Sequence, residues 1–285
     1  MDRQKEEETG DGERSIESSI GKFIPLDLIP DILLKLPAKS AVRFRCFSKL
    51  WSSITTPPDF IRSFAIQSST RLRLMVCVKT SYTRLFITLP QHVHPDTSYS
   101  PVVDRYEIKS PPLDYYHSPF SEPVQSLVCY GDDHNIVVWN PSMRQNVTLP
   151  EPGPRVKYIS SCLGYDPVEG KYKVLCISGY KCNYPLVFTL GPQESWRLTN
   201  NCPLHQPTNS EGRIGVCVNG HVYYEAKILL DDDPLEYEHL LMSFHVRYET
   251  FNTIKKPADP TLDRLLLNYQ GKLAWVCYSV SSLRF

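Results

Sequence analysis

The chain has 285 residues, 41% of them hydrophobic and 22% charged, enough apolar matter for a full core in one large or two ordinary domains. Its 31 basic side chains are balanced by 31 acidic ones, so no net field draws it onto nucleic acid or anionic lipid. No run of about eighteen consecutive apolar residues occurs, and a helical membrane span is not expected.

The opening MDRQKEEETGDGERSIESSI carries acids, glycine and serine and no apolar run of signal-peptide length. It predicts a disordered acidic tail over residues 1–21. The nine cysteines are scattered without CxxC spacing, which reads as reduced packing residues in a cytoplasmic or nuclear protein.

Residues 22–64 predict a small helical domain. Leu28, Ile32, Leu33 and Leu36 recur on one helix face, with Asp27 placed to cap the start, Pro30 in the first turn and Pro37 placed to stop the run. Ser40 can cap a second helix on which Val42, Cys46, Leu50 and Ile54 share a face, while Phe44, Phe47 and Trp51 widen the apolar surface. Two short helices cannot hide that much apolar area in each other, so some of it needs a partner, in the same chain or another. Lys35, Lys39, Arg43, Arg45 and Lys49 invite a helix-turn-helix reading, but solvated helix faces carry such charges routinely.

From residue 65 onward the pattern changes to short alternating runs separated by turn chemistry, the signal of an all-β domain. Expected strands cover residues 72–78, 85–89, 126–130, 136–139, 159–165, 172–178, 187–190, 214–218, 222–225, 240–246, 265–269 and 273–278. Residues 91–123, rich in proline, histidine, serine and tyrosine, read as a long loop with at most a short strand near 102–108. A weak repeat links Val138 to Pro150, Val187 to Leu198 and Phe244 to Pro257, each a strand, a turn and a strand, about fifty residues apart as in kelch-like blades. A β-propeller is the leading architecture, with a β-sandwich as the alternative.

Two resemblances sharpen this picture. Ile24-Pro25-x-Asp27-Leu28, Ile32-Leu33-x-x-Leu36-Pro37-x-Lys39-Ser40, Arg43-Phe44-Arg45-Cys46 and Ser48-Lys49-x-Trp51 resemble the F-box of plant F-box proteins. That resemblance implies a helical module docking on the Skp-type linker subunit of a cullin ubiquitin ligase. By matching position, Ile24, Pro25, Leu28, Ile32, Leu33, Leu36 and Pro37 would form or support the docking surface, and Cys46 and Trp51 would complete the packing behind it. Ala41 departs from the larger apolar residue of the pattern, which would weaken the contact.

The β region is similar to the type 3 F-box-associated domain. The likeness rests on Val137-Val138-Trp139-Asn140-Pro141, Leu163-Gly164-Tyr165-Asp166-Pro167, Val218-Asn219-Gly220, Phe244-x-Val246-Arg247 and Asn268-Tyr269-Gln270-Gly271-Lys272. It implies recognition of a protein cargo. The sequence stops at Phe285 just inside an expected strand, so the propeller is expected to lack closing strands and the chain reads as a shortened family member.

No chemistry is legible. His92-x-His94 and Cys202 with His205 lack the partner spacing of a zinc site, and Asp231-Asp232-Asp233 lacks the spaced ligands of a calcium loop. Asp166-Pro167-Val168-Glu169-Gly170 has two carboxylates but reads better as a turn. No phosphate loop, nucleophile elbow or HExxH is present. The expectation is a non-catalytic substrate receptor with no cofactor, no metal, no nucleic acid and no membrane partner. The competing class is a β-propeller or sandwich enzyme or lectin acting on a small molecule or glycan.

Overall fold

The computed structural model describes residues 24–46, 49–69, 73–79, 83–90, 104–109, 121–131, 135–153, 159–179, 184–192, 195–208, 214–230, 233–256 and 263–278. The expected acidic tail, most of the expected 91–123 loop, and Phe47 and Ser48 lie outside them. The chain divides into two compact units, Met1–Pro111 and Pro112–Phe285.

In the first unit a 3-10 turn, Leu26–Leu28, runs into α1 (Ile29–Leu34), with Pro30 in the first turn as its missing N–H allows. Pro37 is itself extended, at φ −59° and ψ 145°, and α2 (Ala38–Arg45) starts directly after it. Neither helix start carries a side-chain cap hydrogen bond, which corrects the expected caps. Asp27 is taken up in the 3-10 turn, and Ser40 lies inside α2. The expected second helix is also two helices. The Cys46 amide bonds back to Arg43 O at 3.0 Å, α2 ends, and α3 (Lys49–Thr55) begins afresh. Ser53 and Thr55 turn their hydroxyls onto Leu50 O and Trp51 O, both at 2.8 Å. Pro58 then opens α4 (Pro58–Ser69).

Strands β1 (Arg73–Lys79), β2 (Thr83–Pro90) and β3 (Asp104–Lys109) form an antiparallel sheet within the same unit. The strand suspected near 102–108 is therefore real. Phe86 and Thr88 are buried on one face, while Leu74, Val76 and Val78 alternate onto the other and are exposed.

The second unit is built from antiparallel sheets in series. β4 (Val128–Gly131), β5 (Ile136–Asn140) and β6 (Gln145–Thr148) form the first. The second has β7 (Ile159–Asp166), β8 (Lys171–Ser178), β9 (Leu186–Thr189) and β10 (Arg197–Leu198), hydrogen-bonded in chain order. In the third, β11 (Gln206–Pro207) and β12 (Gly215–Val218) share one edge of β13 (His221–Leu230), followed by β14 (Asp233–His245) and β15 (Thr250–Lys255). β16 (Asp263–Tyr269) pairs with β17 (Lys272–Tyr278).

The second sheet is buried on both faces, and residues 174–177 of β8 and 186–188 of β9 are correspondingly apolar without a break. Leu163, Val174, Cys176, Leu186 and Phe188 point into a core shared with Cys129, Ile136 and Val138 of the first sheet. The alternate residues Cys162, Leu175, Ile177 and Val187 point into a second core with Val222, Tyr224, Met242, Phe244 and Val246 of the third. β4 lies beside β7, β7 beside β12, and β12 beside β16, so successive sheets meet along these strands. Gly164 on β7 makes that approach possible. A Cβ there would sit 2.7 Å from Val246 Cγ2 and 2.9 Å from Val222 Cγ2.

Two hairpins follow from Asn219-Gly220 and Gln270-Gly271. All four residues have positive φ, the requirement of a two-residue turn matched to strand twist. The pair is cross-braced by Asn219 Nδ2 donating to Gly271 O at 2.7 Å and Asn268 Nδ2 donating to Cys217 O at 3.2 Å.

Candidate partner-docking surface

The helical head sorts its apolar residues into two groups. Ile29 and Leu33, one turn apart on α1, are fully buried, and Ala41 on α2 is buried too. α1 lies along α4, and α2 along α3, so Ile29 and Leu33 close a small core where α1 meets α4. Phe44 and Trp51 stack at a ring-centroid distance of 5.0 Å and bind α2 to α3. The other group faces out. Leu26 is 53% exposed, Leu28 47%, Ile32 41% and Val42 40%, and Pro25 and Pro37 are exposed beside them in sequence.

The residues expected from sequence thus separate by role. Leu28, Ile32, Pro25 and Pro37 present surface, and Ile24 and Leu36 are half-buried. Leu33 is sealed inside and can only support that surface. Trp51 packs on Phe44. Cys46, expected behind the surface, does not pack there. It is exposed at the end of α2, because the helix stops there instead of carrying its thiol around to the Leu50 face. Val42, expected on one face with Cys46 and Leu50, is exposed as well. Leu26 was missed because it lies in a 3-10 turn outside the helical period. Ala41 is interior, so its small size bears on packing within the head. Lys35, Arg43, Arg45 and Lys49 are exposed, as solvated charges are.

The second unit carries a polar rim of hairpin ends. The turn 167–170 joins β7 to β8, as its Asp-Pro and Glu-Gly chemistry suggested, and Asp166 Oδ1 accepts from the Val168 amide at 2.9 Å. Burial alone would raise the Asp166 carboxyl. The Val168 and Glu169 amides and the Arg247 charge outweigh burial and hold it below the ordinary aspartate value. Arg247 Nε stands 3.6 Å from Asp166 Oδ2 and 3.5 Å from Glu169 Oε1. Glu249 pairs with Lys173 at 2.7 Å and with Arg197, and Lys173 Nζ also donates to Arg247 O at 3.3 Å. Burial again works against ionisation of Glu249, but the Arg197 and Lys173 hydrogen bonds win and lower its pKa.

Cys202 Sγ lies 3.6 Å from His205 Nδ1, so that sequence pair is real. Both His205 nitrogens are engaged within the protein, Nδ1 with Pro203 O at 2.8 Å and Nε2 with the Tyr224 hydroxyl at 2.9 Å. Burial pushes the His205 pKa down and keeps the ring neutral. Among the described residues no group of three or more His, Cys, Asp or Glu is placed to hold a metal ion. His92, His94, Asp231 and Asp232 lie outside those residues. Burial pushes the Cys129 thiol up to about 12 and raises Cys162 further, far from the thiolate that redox or nucleophilic chemistry needs.

Of the turn stretches between expected strands, which could line a cargo face, 131–135 and 178–184 fall largely outside the described residues. The stretch 229–237 is mostly strand instead of loop, because β13 and β14 extend as a long hairpin in which Ile228 pairs with Glu238 and Leu229 with Tyr237.

A helical head with an outward apolar patch, followed by serial antiparallel sheets, is the organisation of an F-box protein. Residues 24–63 match the F-box domain, and residues 73–284 match the F-box associated beta propeller domain. The chain belongs to this plant family. It is 64% identical to the Arabidopsis thaliana F-box protein At4g21240, an alignment that takes in 100% of this chain and 72% of that relative. To Arabidopsis thaliana F-box protein At1g47790 it is 42% identical over 92% of this chain and 66% of the relative. To Arabidopsis thaliana F-box protein At5g18160 the figures are 40%, 89% and 63%. The chain therefore spans roughly two thirds of the length of its curated relatives.

Proposed function

We propose that this chain is the substrate-recognition subunit of an SCF-type ubiquitin ligase, held by the Skp-type linker through residues 22–64 and binding a protein cargo through residues 65–285. The observation that carries the reading is the exposure of Leu28 and Ile32 on a head whose own core is already closed by Ile29 and Leu33. Apolar side chains of that size, set beside prolines on short helices, suit a helix-in-groove contact in which a few anchors supply most of the affinity. Ile24, Pro25, Leu28, Ile32, Leu36 and Pro37 make the contact, with Leu33 and Trp51 supporting them from behind.

The mechanism is proximity. A cargo tethered beside a charged ubiquitin-conjugating enzyme meets it at an effective concentration on the order of millimolar, and this chain performs no bond-making step. The β domain fits a propeller in which the β4–β6, β7–β10 and β12–β15 sheets are successive blades and β16–β17 begins the next. The side-by-side order of β4, β7, β12 and β16 and the two shared cores support that arrangement. The rim of hairpin ends is where cargo contacts diverge most easily. The working compartment is the cytoplasm or the nucleus.

The test is binding of the purified full chain to a purified plant Skp-type linker, followed by co-elution with the cullin. A stoichiometric complex is expected. Failure to bind the linker, together with saturable binding of a glycan or nucleotide to the β domain, would replace this reading by the enzyme or lectin alternative.

A further inference from the structure

Three hairpin turns of the second unit share one design and differ at one chemically decisive atom. In the β5–β6 turn, Asn140 Oδ1 accepts from the Met143 amide at 3.0 Å, and Arg144 closes the turn at φ 56°. In the β7–β8 turn, Asp166 Oδ1 accepts from the Val168 amide, Gly170 closes at φ 68°, and its amide returns to Asp166 O at 2.9 Å. In the β14–β15 turn the capping residue is His245. Its Nδ1 accepts from the Arg247 amide at 3.2 Å and the Tyr248 amide at 3.4 Å, Glu249 closes at φ 56°, and its amide returns to His245 O at 2.8 Å.

Backbone amides only donate, so this geometry requires a lone pair on His245 Nδ1 and places the ring proton on Nε2. A second proton has one place to go, the capping nitrogen itself. It would then point a donor at two donors.

We infer that the β14–β15 turn is a proton-sensitive latch, closed while His245 is neutral and released when Nδ1 is protonated. What it holds makes the release consequential. Arg247 reaches Asp166 and Glu169 across the β7–β8 turn, and Glu249 reaches Lys173 on β8 and Arg197 on β10. Tyr248 stands at the tip, 67% exposed. Opening the turn would uncouple that rim from the neighbouring sheet and change the surface it offers.

The groups facing the ring set the operating range. His221, its cross-strand partner on β13, lies edge-on at 4.4 Å between ring centroids, and Tyr248 lies at 4.6 Å. Burial, His221 and Arg247 work against the charged form and prevail over Asp166 on β7 and the backbone carbonyl of His245 itself, which favour it, so His245 titrates below the ordinary histidine value. A histidine depressed in the folded state lends stability that is complete above its unfolded pKa of about 6.5 and is lost as pH falls through the lower folded value. The latch is therefore shut at neutral pH and opens on acidification.

Nitrogen-15 NMR of the full chain titrated from about pH 7.5 to about pH 5 tests this. The Nε2–H tautomer is expected at neutral pH, and the Arg247 and Tyr248 amide shifts should move with one midpoint below about 6.5. His245→Asn, which copies the Asn140 cap, should flatten both titrations, while His221→Asn should keep them and raise the midpoint. An Nδ1–H tautomer in the unsubstituted protein, or an unchanged titration in His245→Asn, would overturn the inference. The tautomer alone decides it if the asparagine variant does not fold.

Discussion

Replacing Glu249 by glutamine removes one charge and nearly no volume, so it isolates the ionic tie between the β14–β15 turn and the sheet beside it. The Glu249 and Lys173 side chains are 21% and 9% exposed, while Arg197 is 38% exposed. Arg197 can turn its guanidinium to water when the carboxylate is lost; Lys173 cannot, and keeps only uncharged acceptors, the Arg247 carbonyl at 3.3 Å and the new amide oxygen at position 249. Leaving one partner of a buried pair uncompensated costs about 3–5 kcal/mol. With the remaining carbonyl and partial access to water, the cost here is expected to be about 2–4 kcal/mol. At about 2 kcal/mol per molar of urea, the β-sheet transition followed by circular dichroism should move down by roughly 1–2 M. Adding Lys173→Met to Glu249→Gln should recover about half the loss or more, since the stranded charge goes with it. A midpoint unmoved by Glu249→Gln, or a double variant weaker than the single, would refute the claim that Lys173 depends on this carboxylate.

Gly164→Ala should destabilise the β domain by about 1–3 kcal/mol through overpacking against Val246 and Val222, measured by the same unfolding curve. Tyr224→Phe deletes the hydroxyl that meets His205 Nε2 in the core, at a cost of about 1–3 kcal/mol. Because burial depresses the His205 pKa, its contribution is complete above about pH 6.5 and declines as pH falls through the lower folded value. The melting temperature should therefore drop on acidification, and less steeply in His205→Gln. Leu33→Ala should loosen the head by about 2–5 kcal/mol, seen as lost hydrogen-exchange protection across residues 24–69 with the β domain unchanged.

Most strands were legible because two signals agreed. Alternating apolar residues set the faces, and Asn-Gly, Gln-Gly and Asp-Pro pairs marked the ends, as at Val218–His221 and Tyr269–Lys272. The β13–β14 extension was not. Ile228 pairs with Glu238, Leu229 with Tyr237 and Leu230 with Asp233 on either side of an acidic run that read as a turn and masked the strands beside it. In the head, periodicity found α1 but carried the second helix through Cys46, where α2 ends, so the exposure of Cys46 was not legible. The Lys173–Glu249–Arg197 tie joins residues 76 and 52 positions apart, and only the sheet stacking brings them together. The family pattern supplied the proposed docking set, and burial divided it into Leu28 and Ile32 outside and Leu33 within.

The affinity of a plant Skp-type linker for the full chain and for its Leu28→Glu and Ile32→Glu variants tests the central claim most directly. Each substitution places a charge on an exposed side chain, so folding should be intact by circular dichroism. Each should weaken binding about thirty-fold or more, the loss of about 2 kcal/mol or more that marks an interface anchor. Folded variants that bind the linker as tightly as the parent chain would contradict the claim that this patch is the docking surface.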